Sequence, residues 1–459
     1  MSSLYGTAAD VLAGVLDHKQ GLKTLLYASK VKPEMYRKVY ALVSQTISYR
    51  SVIDQLMLTT KLNDIAKNPK NRYTVMIMIY DLLFGQKRIN SGGSLKKAIM
   101  ARATLLNQLL ERRKKTIGAT SNSDLIPVEF RERPRLPRYA RINTLLTNQD
   151  DVLKQLSQYE IVVDEHVRDL LVVPADVEMY DHALVQSSHL ILQDKASCFP
   201  AQILLDTDRP LRHLIDACSA PGNKTLQLAA GLASGAKLTA FERDRIRYNT
   251  LCRRVAQAGA ADRIETRCAD FRSCSPRDDQ FADVDAVLID PSCSGSGLSG
   301  YRVDAMLQNA TMSEGDIQRL QSQQIELILH AMRFPNVFRI TYSTCSTHRI
   351  ENEDVVEKVL RRQSGWELAT AMPSFPGRGI PNESFPNADL CIRSSAEYQT
   401  HGFFVALFAK KEMTNADDCG SSGALETVDE ARATVKVANK SIGKKIARKR
   451  KLKRTLLLK

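Results

Sequence analysis

The segment HLIDACSAPGNKTLQLAAGL (His213–Leu232) decides the fold, because it predicts a strand, a tight turn and a helix in direct succession. Asp216 ends the strand, Pro221 and Gly222 form the turn, and an apolar helix follows. From Ser188 onward the chain alternates strand and helix patterns, which is typical of an α/β fold with a doubly wound parallel sheet. We therefore predict a Rossmann-like sheet in the strand order 3-2-1-4-5.

Composition and apolar spacing divide the rest of the chain into further regions. Residues 1–115 repeat apolar positions every three or four residues, which predicts a helical N-terminal domain. Residues 116–187 combine a basic linker with a small α+β region, whose strands are predicted in RINTLL and DLLVVP. We assign residues 188–411 to the doubly wound domain. Residues 412–459 turn polar and then basic, so we expect disorder there.

Basic residues are concentrated in two places. The net charge is +14, but the last twenty residues, Lys440–Lys459, contain ten of the lysines and arginines and no acid. The block Lys444–Arg454 predicts a nuclear or nucleolar address, a nucleic-acid contact or both, and a merely solubilising tail is the alternative. The linker RERPRLPRYAR (Arg131–Arg141) carries five arginines, and a solvated linker and an RNA-facing surface are equally compatible with it.

Several classes of protein are disfavoured by composition. The apolar runs are far shorter than the ~20 residues that a membrane span needs, and we predict no membrane association. The N-terminus shows no secretory signal pattern. The nine cysteines include no CxxC pair, so we expect reduced thiols in an intracellular protein and no metal site.

Acidic residues follow four successive predicted strands: Asp216, Glu242, Asp270 and Asp290. Glu242 lies about twenty residues past the turn, where a doubly wound fold places an acid on ribose hydroxyls. Asp270 is suited to an adenine amino group. The turn matches neither GxGxxG nor the P-loop spacing, so a phosphate site is not predicted. A ligand with a ribose and an amine but no phosphate is implied, and S-adenosylmethionine fits that description.

Two cysteines follow the fourth and fifth predicted strands. Cys293 lies in IDPSCSGSG (Ile289–Gly297), and Cys345 lies in ITYSTCSTHRIENEDVV (Ile340–Val356). Because these strands are neighbours in the predicted order, both thiols should reach one pocket beside the cofactor. Reactivity requires a thiolate, which a positive charge such as Lys224 or a sulfonium would favour. The pair therefore predicts covalent chemistry with a release step.

The strings DACSAPGNKT, DPSCSGSG and YSTCSTHRIENEDVV resemble the signature motifs of the NOL/NOP/Sun family of RNA cytosine-C5 methyltransferases. The resemblance runs from about Arg138 to Phe408. The PSC form of the fourth-strand motif, with the helical N-terminal region, is similar to the branch that modifies large-subunit ribosomal RNA. The resemblance implies a Rossmann-like methyltransferase sheet, formation of 5-methylcytosine from S-adenosyl-L-methionine, partners among ribosomal RNA or pre-ribosomal particles, and a role in ribosome biogenesis in the nucleus and nucleolus.

The resemblance also implies roles for individual residues. It assigns attack on carbon 6 of cytosine to Cys345 and a role in release of the adduct to Cys293. The cofactor contacts that it implies are Cys218, Ser219, Ala220, Pro221, Gly222, Asn223, Lys224, Glu242, Arg247, Asp270 and Asp290. Two positions depart from the family pattern. Ser292 separates Pro291 from the release cysteine, and His401 replaces an aspartate before GFF, where we expect a structural role.

Alternatives remain open at this point. A transfer-RNA target would keep every catalytic residue and change only the docking surface. A non-catalytic, RNA-binding ribosome assembly factor could have kept the fold, although the intact cysteines and strand-end acids argue against it. DNA cytosine methylation is disfavoured, because those enzymes resemble a different motif set.

Overall fold

The N-terminal part of the chain is helical, as its apolar spacing predicts. The computed structural model describes residues 4–411 apart from 18–20, 23–24, 27–28, 30, 32, 67 and 132–134, so the predicted basic tail at 412–459 lies outside the described residues. The helices of this part are α1 (Leu4–Asp17), α2 (Pro33–Ser48), α3 (Arg50–Thr59), α4 (Leu62–Ile65), α5 (Pro69–Leu83), α6 (Ser94–Met100), α7 (Ala103–Ile117) and α8 (Val128–Arg131). Their apolar faces share one core.

A later helix, α14 (Val303–Thr311), packs against the helical core and links it to the sheet domain. Val303 is buried in the N-terminal core, and the carboxylate of Asp304 accepts the backbone N–H of Leu22 at 2.9 Å. Since α14 follows the loop that carries Cys293, the N-terminal helices are anchored beside that loop.

A small antiparallel sheet follows in the order β2-β3-β1-β4. Its elements are β1 (Arg138–Ile142), α9 (Gln149–Gln155), β2 (Val162–Val163), β3 (Leu170–Val173), α10 (Ala183–Gln186) and β4 (Leu190–Leu192). The α+β character agrees with the prediction. Because β4 pairs with β1, the sheet extends past the boundary that the sequence suggested at Ser187.

The first strand of this sheet ends earlier than the segment RINTLL (Arg141–Leu146) predicts. Ile142 is its last residue, and Asn143 then directs the chain into a turn. The fully buried Asn143 side chain donates from Nδ2 to the carbonyls of Ser188 and Ala258, both at 3.0 Å. These bonds compete with strand continuation, which the apolar pattern alone does not reveal.

The larger sheet has the order β10-β12-β9-β8-β5-β6-β7, with β11 paired to β12. Its strands are β5 (His213–Asp216), β6 (Lys237–Phe241), β7 (Ile264–Arg267), β8 (Val284–Ile289), β9 (Arg339–Thr344), β10 (Trp366–Ala369), β11 (Ile392–Ser394) and β12 (Phe403–Lys410). β5 to β9 are parallel to one another, whereas β12 is antiparallel to β9 and β10. The predicted 3-2-1-4-5 order is therefore confirmed.

Helices cover both faces of this sheet. They are α11 (Lys195–Leu205), α12 (Asn223–Gly231), α13 (Arg245–Gln257), α15 (Glu314–Ala331) and α16 (Glu353–Leu360). Side chains alternate between the two faces along each strand: Val287 and Ile289 pack into one core, and Ala286 and Leu288 pack into the other. Burial on both faces explains why these strands read as continuous apolar runs. In the described part of the chain, no helix combines the length and the apolarity that a membrane crossing requires.

Candidate active site

A cleft of about 550 Å³ lies where the loops after β5 to β9 converge. Since the carboxyl ends of parallel strands meet at one edge of the sheet, these loops bring distant residues together. The predicted site residues that line the cleft are Cys218, Ala220, Pro221, Glu242, Arg247, Asp270, Asp290, Cys293 and Cys345. The predicted cofactor residues outside its lining are Ser219, Gly222, Asn223 and Lys224.

Three of those four residues, Ser219, Gly222 and Asn223, shape the turn between β5 and α12. The Ser219 hydroxyl donates to the carbonyl of Asp216 at 2.9 Å, and the amide oxygen of Asn223 accepts from Arg254. Gly222 begins the helix at a φ of +107°, a conformation that disfavours side chains with a Cβ. The Ala220–Pro221 peptide bond is cis. Protein groups on the side away from the cleft therefore hold the turn in place. The Lys224 side chain instead contacts Asp290.

Asp216 also lies behind the cleft. Its carboxylate accepts from the Thr225 hydroxyl at 2.7 Å and from the N–H of Cys218 at 3.3 Å. Burial raises the pKa of Asp216 to about 6, although both hydrogen bonds oppose that shift. Of the four strand-end acids, Asp216 holds the turn and the other three reach the cleft.

Glu242 and Asp270 present carboxylates to the cleft. One oxygen of Glu242 accepts the N–H of Asp244 at 2.8 Å, and the other lies 3.6 Å from Arg247. Asp270 pairs with Arg272 at 2.8 Å, and this hydrogen bond lowers the pKa of Asp270. Carboxylates accept hydrogen bonds from ribose hydroxyls and amines but repel phosphate. These two acceptors thus fit the ribose hydroxyls and the adenine amine of S-adenosylmethionine.

Asp290 is held by two side chains. One oxygen accepts from Lys224 Nζ at 2.8 Å, and the other accepts from the Ser343 hydroxyl at 2.7 Å. Lys224 also donates to the Ser197 hydroxyl at 3.1 Å. Burial opposes the charged form of Lys224, but the charge and hydrogen bond of Asp290 outweigh it, and the pKa of Lys224 is raised. Lys224 therefore positions Asp290 from behind.

The two cysteines are in direct contact. Their Sγ atoms are 3.2 Å apart, and both side chains are half-buried. The hydrogen bond from the Cys293 thiol lowers the pKa of Cys345. The charges of Lys224 and Arg302 act in the same direction, whereas burial and the charge of Asp290 oppose the shift. The same bond, together with burial, raises the pKa of Cys293 well above its ordinary value. This geometry favours a thiolate on Cys345 and a thiol on Cys293.

A buried glutamate that the sequence did not single out joins the two cysteine loops. Glu351 has no exposed surface, and its Oε1 accepts from the N–H of Ser294 and from Gln324, both at 3.0 Å. Its Oε2 accepts from the Ser346 hydroxyl at 2.7 Å. Gln324 also donates to the carbonyl of Ser292 at 3.2 Å. One carboxylate thus holds the residue after each cysteine.

Other residues near the site were also missed. Ser343 lies on β9 two residues before Cys345, and this nearness in the sequence was an available signal. Arg302 lines the cleft, but nothing in the local sequence marks it.

His401, expected to be structural, lies outside the lining and contacts Asp194 at 2.8 Å. Ser292, between Pro291 and Cys293, is exposed and lines the cleft.

Family models match most of the described chain. The model "16S rRNA methyltransferase RsmB/F" matches residues 203–409. The models "NOL1/NOP2/Sun domain family member 5, N-terminal domain" and "NOL1/NOP2/Sun domain family member 5, ferredoxin-like domain" match residues 37–126 and 153–193. These matches cover the helical region, the small sheet and the doubly wound domain.

Similar proteins align over nearly the full length. The 28S rRNA (cytosine-C(5))-methyltransferase of Mus musculus is 36% identical over 435 residues, covering 89% of this chain and 91% of the relative. The 25S rRNA (cytosine-C(5))-methyltransferase rcm1 of Schizosaccharomyces pombe is 34% identical over 395 residues, covering 82% of this chain and 84% of the relative. The crystal structure of PH0851 has a TM-score of 0.60 at 20% identity, over 89% of this chain and 99% of that one, which supports the fold.

The backbone contact beside the cysteines generates a first prediction. Gly297 donates its N–H to the Cys345 carbonyl at 2.9 Å and accepts the N–H of Gly402 at 3.1 Å. A Cβ at Gly297 would overlap the backbone carbonyl of Gly402, whereas a Cβ at Gly300 would meet no heavy atom within 4 Å. We expect Gly297→Ala to lower the free energy of unfolding by about 1–3 kcal/mol. Chemical denaturation measures the free energy of unfolding, and Gly300→Ala is the control. Equal stability of the two variants would contradict the expected clash.

The thiol contact generates a second prediction. Because the Cys293 hydrogen bond lowers the pKa of Cys345, Cys293→Ala should raise it. We expect the midpoint of the pH profile for alkylation of Cys345 by iodoacetamide to move upward by about one pH unit. Mass spectrometry of the peptide that contains Cys345 follows the reaction. Cys252→Ala, a half-buried cysteine outside the cleft, is the control. A midpoint that stays in place or falls would refute the assigned direction.

Proposed function

This chain belongs to the NOL1/NOP2/Sun family of S-adenosylmethionine-dependent RNA cytosine-C5 methyltransferases, and we propose that it forms 5-methylcytosine in large-subunit ribosomal RNA. The observation that carries the proposal is the pair of cysteine sulfurs, 3.2 Å apart, in an acid-lined cleft at the carboxyl edge of the sheet. The ribosomal substrate follows from the relatives, which are named for 28S and 25S rRNA and align over more than four-fifths of this chain.

Cys345 is the proposed nucleophile. Carbon 5 of cytosine is a weak nucleophile, and attack of a thiolate at carbon 6 breaks the aromaticity and makes carbon 5 enamine-like. The lowered pKa of Cys345 supports this role, because it increases the fraction of reactive thiolate. Asp290, fixed by Lys224 and Ser343, is proposed to hold the amine edge of the base.

Glu242, Asp270 and the Cys218–Pro221 turn are proposed to hold the cofactor. When bound, S-adenosylmethionine supplies an electrophilic methyl group to carbon 5. Glu242 would accept from the ribose hydroxyls, and Asp270 would accept from the adenine amine. The side chains of Ser219 and Asn223 bond to protein groups, so we propose that they support the turn. Lys224 bonds to Asp290, so we propose that it positions that carboxylate.

Cys293 is proposed to act in release. After methylation, the proton on carbon 5 must leave and the bond between Cys345 and carbon 6 must break, which restores both the aromatic ring and the Cys345 thiolate. Cys293 touches the attacking sulfur and is therefore close enough to take part in this elimination. Its raised pKa keeps it protonated during the attack, so the two thiols do not compete.

The target cytosine must leave its base stack to reach the thiolate, since the carbon-6 face is closed within a helix. We propose that the helical region and the small sheet dock the surrounding RNA. The proposed domains are residues 1–115, 116–187 and 188–411. Pre-ribosomal particles in the nucleolus are the proposed setting. The basic segment Lys444–Arg454 supports this setting as a nuclear address or a phosphate contact.

Incubation with radiolabelled S-adenosylmethionine tests the substrate. We expect label in large-subunit ribosomal RNA when the full chain is mixed with total RNA from cells that lack the enzyme. The Cys345→Ala variant is the control for background transfer. Label confined to transfer RNA, or no label in any RNA, would contradict the proposed substrate.

The two cysteines can be tested separately. Cys293→Ala should accumulate a covalent protein–RNA adduct, because attack and methylation proceed while release is slowed. A shifted band on a denaturing gel, removed by ribonuclease, measures the adduct. The band should vanish when Cys345→Ala is added, and Cys252→Ala should form none. Persistence of the adduct in the double variant would show that the attacking and releasing residues are assigned wrongly.

A further inference from the structure

Arg302 directly precedes α14 and lines the cleft that contains the cysteines. Its side chain is 26% exposed. The Nε and Nη2 groups both donate to the carboxylate of Asp304, at 3.2 and 2.5 Å. The remaining nitrogen, Nη1, hydrogen-bonds to none of the described residues. The guanidinium is therefore held along one edge, and its other edge remains for a ligand in the cleft.

The carboxylate that holds Arg302 is itself fixed. Asp304 is 1% exposed, and it also accepts the backbone N–H of Leu22 at 2.9 Å. The adjacent Val303 is buried in the core of the N-terminal helices. Burial opposes the charged form of Arg302, but the charge and hydrogen bond of Asp304 outweigh it, and the pKa of Arg302 is raised. Arg302 thus carries its positive charge at a fixed place on the wall of the cleft.

Three other arginines line the same cleft, and each lies beside a proposed cofactor acid: Arg243 and Arg272 beside Asp270, and Arg247 beside Glu242. Arg302 pairs instead with Asp304, which is outside the lining. The charge of Arg302 also acts on Cys345 and lowers the pKa of that thiol. Among the described arginines that line the cleft, Arg302 is therefore the one associated with the proposed nucleophile.

The point of attack on the substrate decides which group comes near Arg302. Carbon 6 of cytosine is bonded to N1, the ring atom that carries the ribose. In the usual anti conformation of a nucleotide, carbon 6 faces the 5′ side of the sugar and the phosphate attached there. A sulfur that attacks carbon 6 therefore lies close to that phosphate, and so does a cation fixed beside the sulfur.

We propose that Arg302 binds the phosphate on the 5′ side of the target cytidine. Arginine suits this role, because its planar guanidinium can donate to a phosphate along one edge while Asp304 holds the other. The inference rests on the proposed function, since a cytidine in RNA is the substrate, and it adds a contact that positions carbon 6 against Cys345. A phosphate contact carries no sequence information, so other surfaces must read the bases around the target.

Protection of Cys345 from iodoacetamide tests this contact in the full chain. The probes are cytidine, cytidine 5′-monophosphate and cytidine 3′-monophosphate, and mass spectrometry of the peptide that contains Cys345 follows the reaction. The measured quantity is the probe concentration that halves the alkylation rate. We expect this concentration to be about threefold or more lower for the 5′-monophosphate than for cytidine, because a charge-assisted hydrogen bond is added. The 3′-monophosphate, whose phosphate lies away from carbon 6, should resemble cytidine.

Two substitutions assign the advantage of the 5′-phosphate to Arg302. Arg302→Gln should remove the advantage and leave protection by cytidine in place. Arg302→Lys keeps the positive charge without the planar guanidinium, so it should retain part of the advantage. Protection compares rates within one variant, so the effect of Arg302 on the pKa of Cys345 cancels.

Arg212→Gln is the matched control. Arg212 donates from Nε and Nη2 to the buried carboxylate of Asp285, at 3.3 and 2.8 Å, but it does not line the cleft. All three probes should protect this variant as they protect the unaltered protein.

The outcomes separate this contact from the proposed function. Equal protection by cytidine and its 5′-monophosphate in the unaltered protein would overturn the contact alone. An advantage of the 5′-phosphate that survives in Arg302→Gln would do the same. Loss of protection by cytidine itself in Arg302→Gln would also overturn it, because Arg302 would then only shape the cleft. Failure of all three probes to protect the unaltered protein would count against the proposed function as well.

Discussion

The geometry of the site depends on a buried carboxylate that never reaches the cleft. Glu351 accepts hydrogen bonds from Ser294 and Ser346, the residues that follow the two cysteines, and from Gln324 on α15. Hydrogen bonds to a charged acceptor contribute about 1.5–3 kcal/mol each, and a buried carboxylate without them is strongly destabilising. Satisfying Glu351 therefore requires both loops in one arrangement, and that arrangement brings the sulfurs together.

A second set of hydrogen bonds fixes Asp290, which lies between the proposed cofactor residues and the cysteines. Lys224 on α12 and Ser343 on β9 grip the two oxygens of Asp290 after β8. Three elements that are far apart in the chain thus together fix the position of one carboxylate. The alternating burial of the strands, which sends Val287 and Ala286 into opposite cores, keeps those elements in register. Rigid strands with short polar loops allow such positioning within a fraction of an ångström.

The sequence alone predicted the strand–turn–helix unit, the strand order and the meeting of Cys293 with Cys345, because these follow from apolar runs and from the common edge of parallel strands. It could not predict Glu351, whose bond to Ser294 spans 57 residues, since tertiary packing alone selects such partners. Lys224 was predicted as a cofactor contact, and only the phase of α12 reveals that it faces Asp290. The early end of β1 at Ile142 depends on two bonds of Asn143 to distant carbonyls.

The sulfur–sulfur contact has a temporal consequence in the proposed cycle. The pKa of Cys293 is raised mainly because its thiol donates to Cys345, with burial and the Cys345 charge adding to that effect. Once Cys345 is bonded to carbon, its sulfur is a neutral thioether, so its negative charge is lost and it becomes a weaker hydrogen-bond acceptor. The acidity of Cys293 then increases only after its partner has reacted. In the proposed cycle, attack by Cys345 would therefore prepare Cys293 for the release step.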